Sequence, residues 1–308
     1  MPISTLLPRP RLKKAPRIEP MKTAMKTPTT RRNFLGAAAG IAGLSAAGAA
    51  PAFAKIEPEP WGIKLGIATY TFRSFDRAKT IEMLKLVQAP WTSIKDGVHF
   101  AYNSTPQELK QIRAEFDAAG LKVTSAGNIS LAKDDPDDIR QRFEIVRNLG
   151  LSMMVCIPTR SNIRTVEKFV KEYDIRIAIH NHGPEQPDFP SPQSVLEVVR
   201  DMDPRVGLCI DVGHTARTGV DVLESIVLAG RRLFDMHVKD LRDFKSRDSQ
   251  CDVGEGIMPF PAIFKQLKKM NYQGCVNLEY EINPKDPLPG VLRSLFYMRG
   301  VLAGLGAA

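Results

Sequence analysis

Residues 206–214 read VGLCIDVGH, a short apolar run that ends in the polar residues Asp211 and His214. A continuous apolar run of this length is typical of a strand that is buried on both faces, as in a parallel sheet. The same arrangement recurs on both sides of it, in IRIAIHNHG at 175–183, LFDMHVK at 233–239 and CVNLEYE at 275–281. Each run carries histidines or carboxylates at its end. The four stretches therefore predict neighbouring parallel strands with functional side chains at their ends.

Four further runs, at 64–70, 91–97, 121–127 and 152–158, complete a set of eight candidate strands. Segments of helical period separate them; one begins at Thr105-Pro106, where a capping threonine precedes a first-turn proline. This alternation predicts an α/β fold, a single-domain (β/α)8 TIM barrel over residues 55–308. A doubly wound open sheet shares the alternation, but no G-x-G-x-x-G follows the first strand and no Walker loop is present.

The ends of the last four strands carry a candidate metal site. In a barrel of this kind the chemistry lies at the C-terminal strand ends, so the side chains there are expected to converge. Each histidine taken alone would be a hydrogen-bonded structural residue, yet four of the five histidines in the chain fall at these ends. Two imidazoles and two carboxylates suit one divalent ion of Mn, Zn, Mg, Co or Fe. The predicted ligands are His180, Asp211, His237 and Glu279.

Other polar residues near the strand ends are candidates for catalysis and substrate binding. Glu279 is the first choice for moving a proton, and His182 is the second. Substrate binding is predicted for Lys95 and His99 after the second strand, Lys239 after the seventh and Glu281 after the eighth. For His99 the alternative is a place in a surface loop.

The chain resembles a known family at these motifs, namely the xylose isomerase-like barrels called sugar phosphate isomerases/epimerases, which include D-tagatose 3-epimerase-type enzymes and endonuclease IV. The resemblance covers residues 62–303. It is carried by IAIHNHG at 177–183, CIDVGHTARTG at 209–219, DMHVKDLRD at 235–243, VGEG at 253–256 and VNLEYE at 276–281.

The resemblance implies roles for individual residues. Asp211, His237 and Glu279 fall on metal ligands of the family. His214 falls on the histidine that the epimerases use for substrate, which in the nuclease relatives binds zinc, and His214 is accordingly a catalytic candidate. One position departs from the family pattern, because His180 stands where the family has an acidic ligand on strand five.

These features predict a divalent-metal-dependent enzyme of the sugar isomerase/epimerase family. We expect it to abstract a proton next to a metal-bound carbonyl of a small sugar or keto sugar. The missing strand-five carboxylate favours isomerisation or elimination over two-base epimerisation. The alternatives are a keto-glycoside lyase or hydratase, an abasic-site-type endonuclease and a non-catalytic sugar-binding protein. The sequence is also compatible with an oligomer.

The N-terminal 54 residues have the order of a secretory signal: a basic stretch that ends in Arg31-Arg32-Asn33-Phe34-Leu35, an Ala/Gly-rich run, and Ala52-Phe53-Ala54. The paired arginines indicate a twin-arginine signal, read by the Tat translocase, with cleavage after Ala54 and a periplasmic or exported protein. The apolar run is too short and too weakly apolar for a stable membrane span.

Charge and cysteine usage exclude other classes. The formal net charge is +9, but residues 1–54 hold nine basic side chains and one acid, which leaves 34 basic and 33 acidic side chains in residues 55–308. A near-neutral body argues against a nucleic-acid partner, which requires many phosphate contacts. The four cysteines, Cys156, Cys209, Cys251 and Cys275, lack metal-finger spacing. Three of them, Cys156, Cys209 and Cys275, lie in apolar runs and are expected to be buried thiols, with a disulfide as the alternative in an oxidising compartment.

Overall fold

The computed structural model describes residues 62–307. Eight parallel strands form a closed barrel in the order β1-β10-β7-β6-β5-β4-β3-β2, which confirms the predicted TIM fold and excludes the open sheet. A short antiparallel pair, β8 and β9, lies between β7 and β10 in the chain. The strands are β1 (Lys64–Ala68), β2 (Trp91–Ile94), β3 (Lys122–Leu131), β4 (Met153–Pro158), β5 (Arg176–His180), β6 (Val206–Asp211), β7 (Leu233–Val238), β8 (Asp240–Leu241), β9 (Gln250–Cys251) and β10 (Cys275–Leu278).

Helices follow the barrel strands and pack on their outer faces. The α-helices are α1 (Arg77–Leu86), α2 (Pro106–Ala118), α3 (Pro136–Asn148), α4 (Ile163–Tyr173), α5 (Pro192–Val199), α6 (Val212–Arg217), α7 (Val222–Ala229), α8 (Phe260–Lys269) and α9 (Leu288–Ala307). Two 3₁₀ turns, Thr69–Phe72 and Gly230–Arg232, follow β1 and α7. No described helix is both long and apolar enough to cross a membrane.

Local sequence sets the helix boundaries. The Thr105 side chain accepts a hydrogen bond from the Glu108 amide while the Glu108 carboxylate accepts one from the Thr105 amide, so the predicted capping box forms. Ser191 begins α5 with a second capping box, and the Asp135 side chain begins α3 by accepting from the Asp137 amide; each precedes a proline. These caps satisfy amides that a helix start leaves unpaired.

The core has two parts. The larger part lies between the outer faces of the strands and the helices and is built from aliphatic and phenylalanine side chains. The smaller part lies inside the barrel and consists of Met153, Val155, Ala178 and Cys209. The barrel interior therefore has a small apolar plug, and the polar strand ends lie further along the same strands.

A buried polar chain also crosses the barrel interior. The Ser125 hydroxyl lies 2.8 Å from that of Ser93 and donates to Asp235 Oδ2 at 3.0 Å, while Asn277 Nδ2 donates to Asp235 Oδ1 at 2.8 Å. Burial raises the pKa of Asp235 to about 6. These contacts tie β2, β3, β7 and β10 together below the strand ends.

Six of the eight barrel strands end earlier than the sequence predicts, whereas β3 continues to Leu131 and β4 ends at Pro158 as predicted. The eighth barrel strand ends at Leu278, so Glu279 and Glu281 lie just beyond it, and His182 lies just beyond β5. The predicted signal region, residues 1–54 with Arg31 and Arg32, lies outside the described residues.

Candidate metal centre and pocket

The register of the barrel brings the four predicted metal ligands together. His180 on β5 pairs with Cys209 on β6, and Asp211 on β6 pairs with His237 on β7. Paired residues of a parallel sheet face the same side, which here is the barrel axis. One side-chain ligand atom from each predicted residue lies within 4.8 Å of the others, and all four residues are buried. We call His180, Asp211, His237 and Glu279 the carboxylate set.

Several buried polar atoms of the carboxylate set lack hydrogen-bond partners among the described residues. These atoms are both ring nitrogens of His180 and both ring nitrogens of His237; Oδ2 of Asp211 also accepts no hydrogen bond from the described residues, although Lys239 Nζ lies 3.1 Å from it. His180 Nε2 lies 3.6 Å from Asp211 Oδ2, and His237 Nδ1 lies 3.2 Å from Glu279 Oε1. Unpaired buried polar atoms are costly, and a cation between them would satisfy them. The residues present therefore fit a metal ion.

Hydrogen bonds fix the orientation of Asp211. Its Oδ1 accepts from the His214 amide at 2.8 Å and so caps α6, which leaves Oδ2 toward the barrel axis. The side chain of Asn181 accepts from the Asp211 amide at 3.0 Å and donates to the Thr215 hydroxyl at 3.0 Å. The sequence DVGH therefore forms a helix start that holds one carboxylate oxygen in place.

Burial and charge set the protonation states. Burial lowers the pKa of His180 to about 3, so its imidazole is neutral near pH 7, which is the form that binds metals. Burial alone would raise the pKa of Asp211 and of Glu279, but the Lys239 ammonium holds both well below the usual range. Burial would lower the pKa of His237, but the Glu279 carboxylate raises it.

Lys239 is the central cation of the site. Its Nζ lies 2.8 Å from Glu279 Oε2 and 3.1 Å from Asp211 Oδ2, and it also donates to Glu281. Any Cβ at Gly213 would lie 2.6 Å from Lys239 Cγ, so glycine at this position gives the lysine chain room. With neutral imidazoles, three carboxylates and one ammonium leave a formal charge of −2, which a divalent ion would balance.

A pocket of about 840 Å³ opens beside the carboxylate set, and Glu279 is the member of the set that lines it. Five of the predicted catalytic and substrate-binding residues besides Glu279 line it: Lys95, His182, His214, Lys239 and Glu281. The rings of His182 and His214 stack with centroids 4.7 Å apart. His182 Nδ1 is buried with no hydrogen-bond partner among the described residues. The structure thus brings the predicted residues to one cavity, with a single exception.

The exception is His99, which was predicted to bind substrate but lies away from the pocket. His99 is 1% exposed and does not line the pocket. Its Nδ1 lies 2.8 Å from the Thr69 hydroxyl and its Nε2 lies 3.0 Å from the Thr80 hydroxyl. Both ring nitrogens are therefore occupied within the fold. The alternative of a surface loop is also wrong, because the side chain is buried.

Sequence reasoning missed several pocket residues. Arg217 lines the pocket three residues after His214 and forms an ion pair with Glu185 at the rim; the i, i+3 spacing from a strand-end histidine could have indicated it. Tyr70 and Arg73 follow β1, where barrel chemistry is expected. Arg247 and Asp248 come from the β8–β9 connection, which no sequence pattern indicated.

Residues 75–299 match the Xylose isomerase-like TIM barrel family. The chain belongs to this family. Its members share the closed barrel described above, and the matched region contains the whole carboxylate set.

The chain is also similar to several named proteins. An inosose dehydratase of Mesomycoplasma hyopneumoniae is 26% identical over 196 residues, which is 57% of this chain and 60% of that protein. The IolI protein, solved with a zinc atom, superposes with a TM-score of 0.65 at 17% identity and covers 79% of this chain and 99% of its own. The E. coli 3-keto-D-glucoside 4-epimerase YcjR superposes with a TM-score of 0.63 at 17% identity, and the match covers 77% of this chain and 99% of that protein. The two structural likenesses show the shared fold.

Proposed function

We propose that this protein is a metal-dependent enzyme that removes the proton next to the carbonyl of a small keto sugar or keto-glycoside, followed by elimination or by a shift of the carbonyl. The observation that carries the proposal is the carboxylate set beside a pocket that also presents His182, His214 and Lys239. The names of the relatives, a dehydratase and an epimerase of a keto-glucoside, support this reaction class.

The carboxylate set would hold the ion through His180, Asp211, His237 and Glu279. When bound, a divalent ion supplies a Lewis-acid charge that polarises a carbonyl and acidifies the adjacent C–H bond. The pocket volume of about 840 Å³ lies in the upper part of the range of roughly 300–1,000 Å³ for ligand pockets. This size supports a keto-glycoside as well as a monosaccharide.

His182 is the best-placed base in the pocket. Both carboxylate oxygens of Glu279 already have partners, Oε1 with His237 and Oε2 with Lys239, so Glu279 is occupied in holding the site. The ring of His182 lines the pocket, and its Nδ1 has no partner among the described residues. We therefore propose His182 ahead of Glu279 as the proton acceptor, in the reverse of the order expected from the sequence.

The chemical step balances with these groups. His182 takes the proton, the C–H electron pair forms the C=C bond of an enolate, and the carbonyl π pair moves to the oxygen, where the nearby positive charge of Lys239 can stabilise the negative charge. In an elimination the β C–O bond then breaks, its electron pair leaves on oxygen, and protonation gives water or an alcohol. Without elimination, the α-hydroxyl proton passes to the former carbonyl oxygen and His182 returns its proton to the former carbonyl carbon, so that the carbonyl moves to the neighbouring carbon.

The test is product analysis in D₂O with full-length protein loaded with Mn²⁺, Zn²⁺ or Co²⁺. Aldoses, ketoses and 3-keto-glycosides are offered, and NMR follows the products. We expect deuterium at the carbon next to the carbonyl together with an isomerised or unsaturated product. Clean conversion of a free ketose to its C3 epimer would replace the proposal with epimerisation. Sugar binding with no turnover would indicate a binding protein.

A further inference from the structure

Cys209 lies directly below Asp211 on β6, on the same inward face of the strand. Its side chain is fully buried. The Cys209 sulfur lies within 4.8 Å of a ring nitrogen of His180 and of a ring nitrogen of His237. We propose that His180, Cys209 and His237 form a second, overlapping metal site for thiophilic ions such as Cd²⁺, Zn²⁺ or Cu⁺. We call these three residues the thiol set.

The two histidines are the independent sign that this cysteine faces a ligand position. Both ring nitrogens of His180 and both of His237 are buried without hydrogen-bond partners among the described residues. The ring centroids of the two histidines are 4.9 Å apart. His180 and Cys209 are register partners on adjacent strands, so their side chains start from neighbouring points of the barrel wall. The thiol set is therefore formed by rigid strand positions.

Ligand chemistry determines which set an ion occupies. Carboxylate oxygens suit hard ions such as Mn²⁺ and Mg²⁺, whereas thiolate selects soft ions such as Cu⁺ and also binds Zn²⁺ well. A soft ion in the thiol set displaces the Cys209 proton to the solvent and forms the metal–sulfur bond. Asp211 and Glu279 are not ligands of the thiol set and can keep their contacts with Lys239. We therefore expect hard ions to bind the two histidines together with Asp211 and Glu279. Soft ions should bind the same two histidines together with Cys209.

The alternative is that Cys209 has only a structural role and fills the apolar plug together with Met153, Val155 and Ala178. Cys156 on β4 provides the matched comparison, because it is equally buried but belongs to the outer core and to none of the candidate ligand groups of the described residues. The difference between the two thiols is the histidine pair beside Cys209.

The experiment titrates the full-length apoprotein with Cd²⁺ and with Mn²⁺ and compares the wild type, Cys209→Ser, Cys156→Ser and Asp211→Asn. We expect one equivalent of Cd²⁺ to give a near-ultraviolet sulfur-to-metal charge-transfer band in the wild type and in Cys156→Ser. Cys209→Ser should lose the band and bind Cd²⁺ at least about tenfold more weakly, with Mn²⁺ affinity little changed. Asp211→Asn should keep the band and lose Mn²⁺ affinity.

Cadmium-113 NMR of the wild-type protein provides a second test, and misfolding of a variant cannot affect it. A chemical shift typical of one sulfur and two nitrogen ligands supports the thiol set. A shift typical of oxygen and nitrogen ligands alone overturns it, as does a charge-transfer band that persists in folded Cys209→Ser. The metal measurements require no turnover. Their result therefore stands even if the protein does not catalyse the proposed reaction.

Discussion

The ammonium nitrogen of Lys239 lies 2.8 Å from Oε2 of Glu279, and both side chains are almost completely buried. Burial alone would lower the pKa of Lys239, but the carboxylates of Asp211, Glu279 and Glu281 raise it well above its usual value. The lysine is therefore a fixed positive charge beside the candidate metal ligands. It competes with an incoming cation for the same oxygens while it neutralises them in the apoprotein.

Replacing Lys239 should have opposite effects on metal binding and on apoprotein stability. In Lys239→Met the buried carboxylates lose their counter-charge, so we expect the free energy of unfolding of the apoprotein to fall by about 3–5 kcal/mol. Mn²⁺ affinity should rise by about tenfold or more, because no tethered ammonium opposes the ion. Urea unfolding and calorimetric Mn²⁺ titration measure the two effects. Lys95→Met, which removes a pocket lysine outside the cluster, is the control. Unchanged stability together with unchanged affinity would contradict this account.

The proposed base is tested by His182→Asn. We expect turnover to fall by about 100- to 10,000-fold, the range for loss of a general base, while Mn²⁺ stays bound because His182 is outside the carboxylate set. Steady-state kinetics and metal analysis on one preparation give both readings. Gln186→Asn changes a second pocket residue that has no acid–base group and should retain most of the activity. Nearly wild-type turnover in His182→Asn would indicate that Glu279, and not His182, accepts the proton.

The sequence predicted the barrel and most of the site because both depend on local pattern. Strand-end residues such as Asp211 and His237 converge in any closed parallel barrel, so strand assignment alone places them together. Lys95 was also placed correctly at the pocket. The contacts that the sequence did not predict depend on packing between residues far apart in the chain. His99 turns into the fold because the threonines at 69 and 80 bind its ring, and no local pattern reveals that pairing.

The side-chain contacts within the site could not be predicted from the sequence either. The contact of Lys239 with three carboxylates from β6 and the segment after β10 depends on side-chain positions, not on spacing. Cys209 looked like a buried thiol, which it is, but its proximity to two histidines follows from the register of β5, β6 and β7. Registers across a barrel involve residues about one βα unit apart, and sequence periodicity does not fix them.

We propose that the N-terminal region directs export through the Tat translocase, and Arg31 with Arg32 provides the test. Replacing both by Lys should leave the full-length precursor in the cytoplasm, because the paired arginines are the feature that the translocase receptor reads. Cell fractionation followed by immunoblotting measures the distribution. The double variant Arg9→Lys with Arg11→Lys keeps the motif and should be exported normally. Undiminished export from a strain that lacks the translocase would rule out this route.

The last prediction concerns the pH dependence of stability and uses His99. Burial lowers the pKa of His99 from 6.5 to about 4 in the folded protein. Between these values the unfolded chain binds the proton and the folded chain does not, so the contribution of His99 to stability is present above about pH 6.5 and is lost as the pH falls toward 4. The shift corresponds to about 3 kcal/mol. His99→Gln should therefore lose about 3 kcal/mol less than the wild type between neutral pH and pH 4, measured by urea unfolding of the apoproteins. Thr80→Val removes a hydrogen bond to the ring but keeps the imidazole, so it should retain most of the pH dependence. Parallel pH profiles for the wild type and His99→Gln would show that His99 is protonated equally in the folded and unfolded chains.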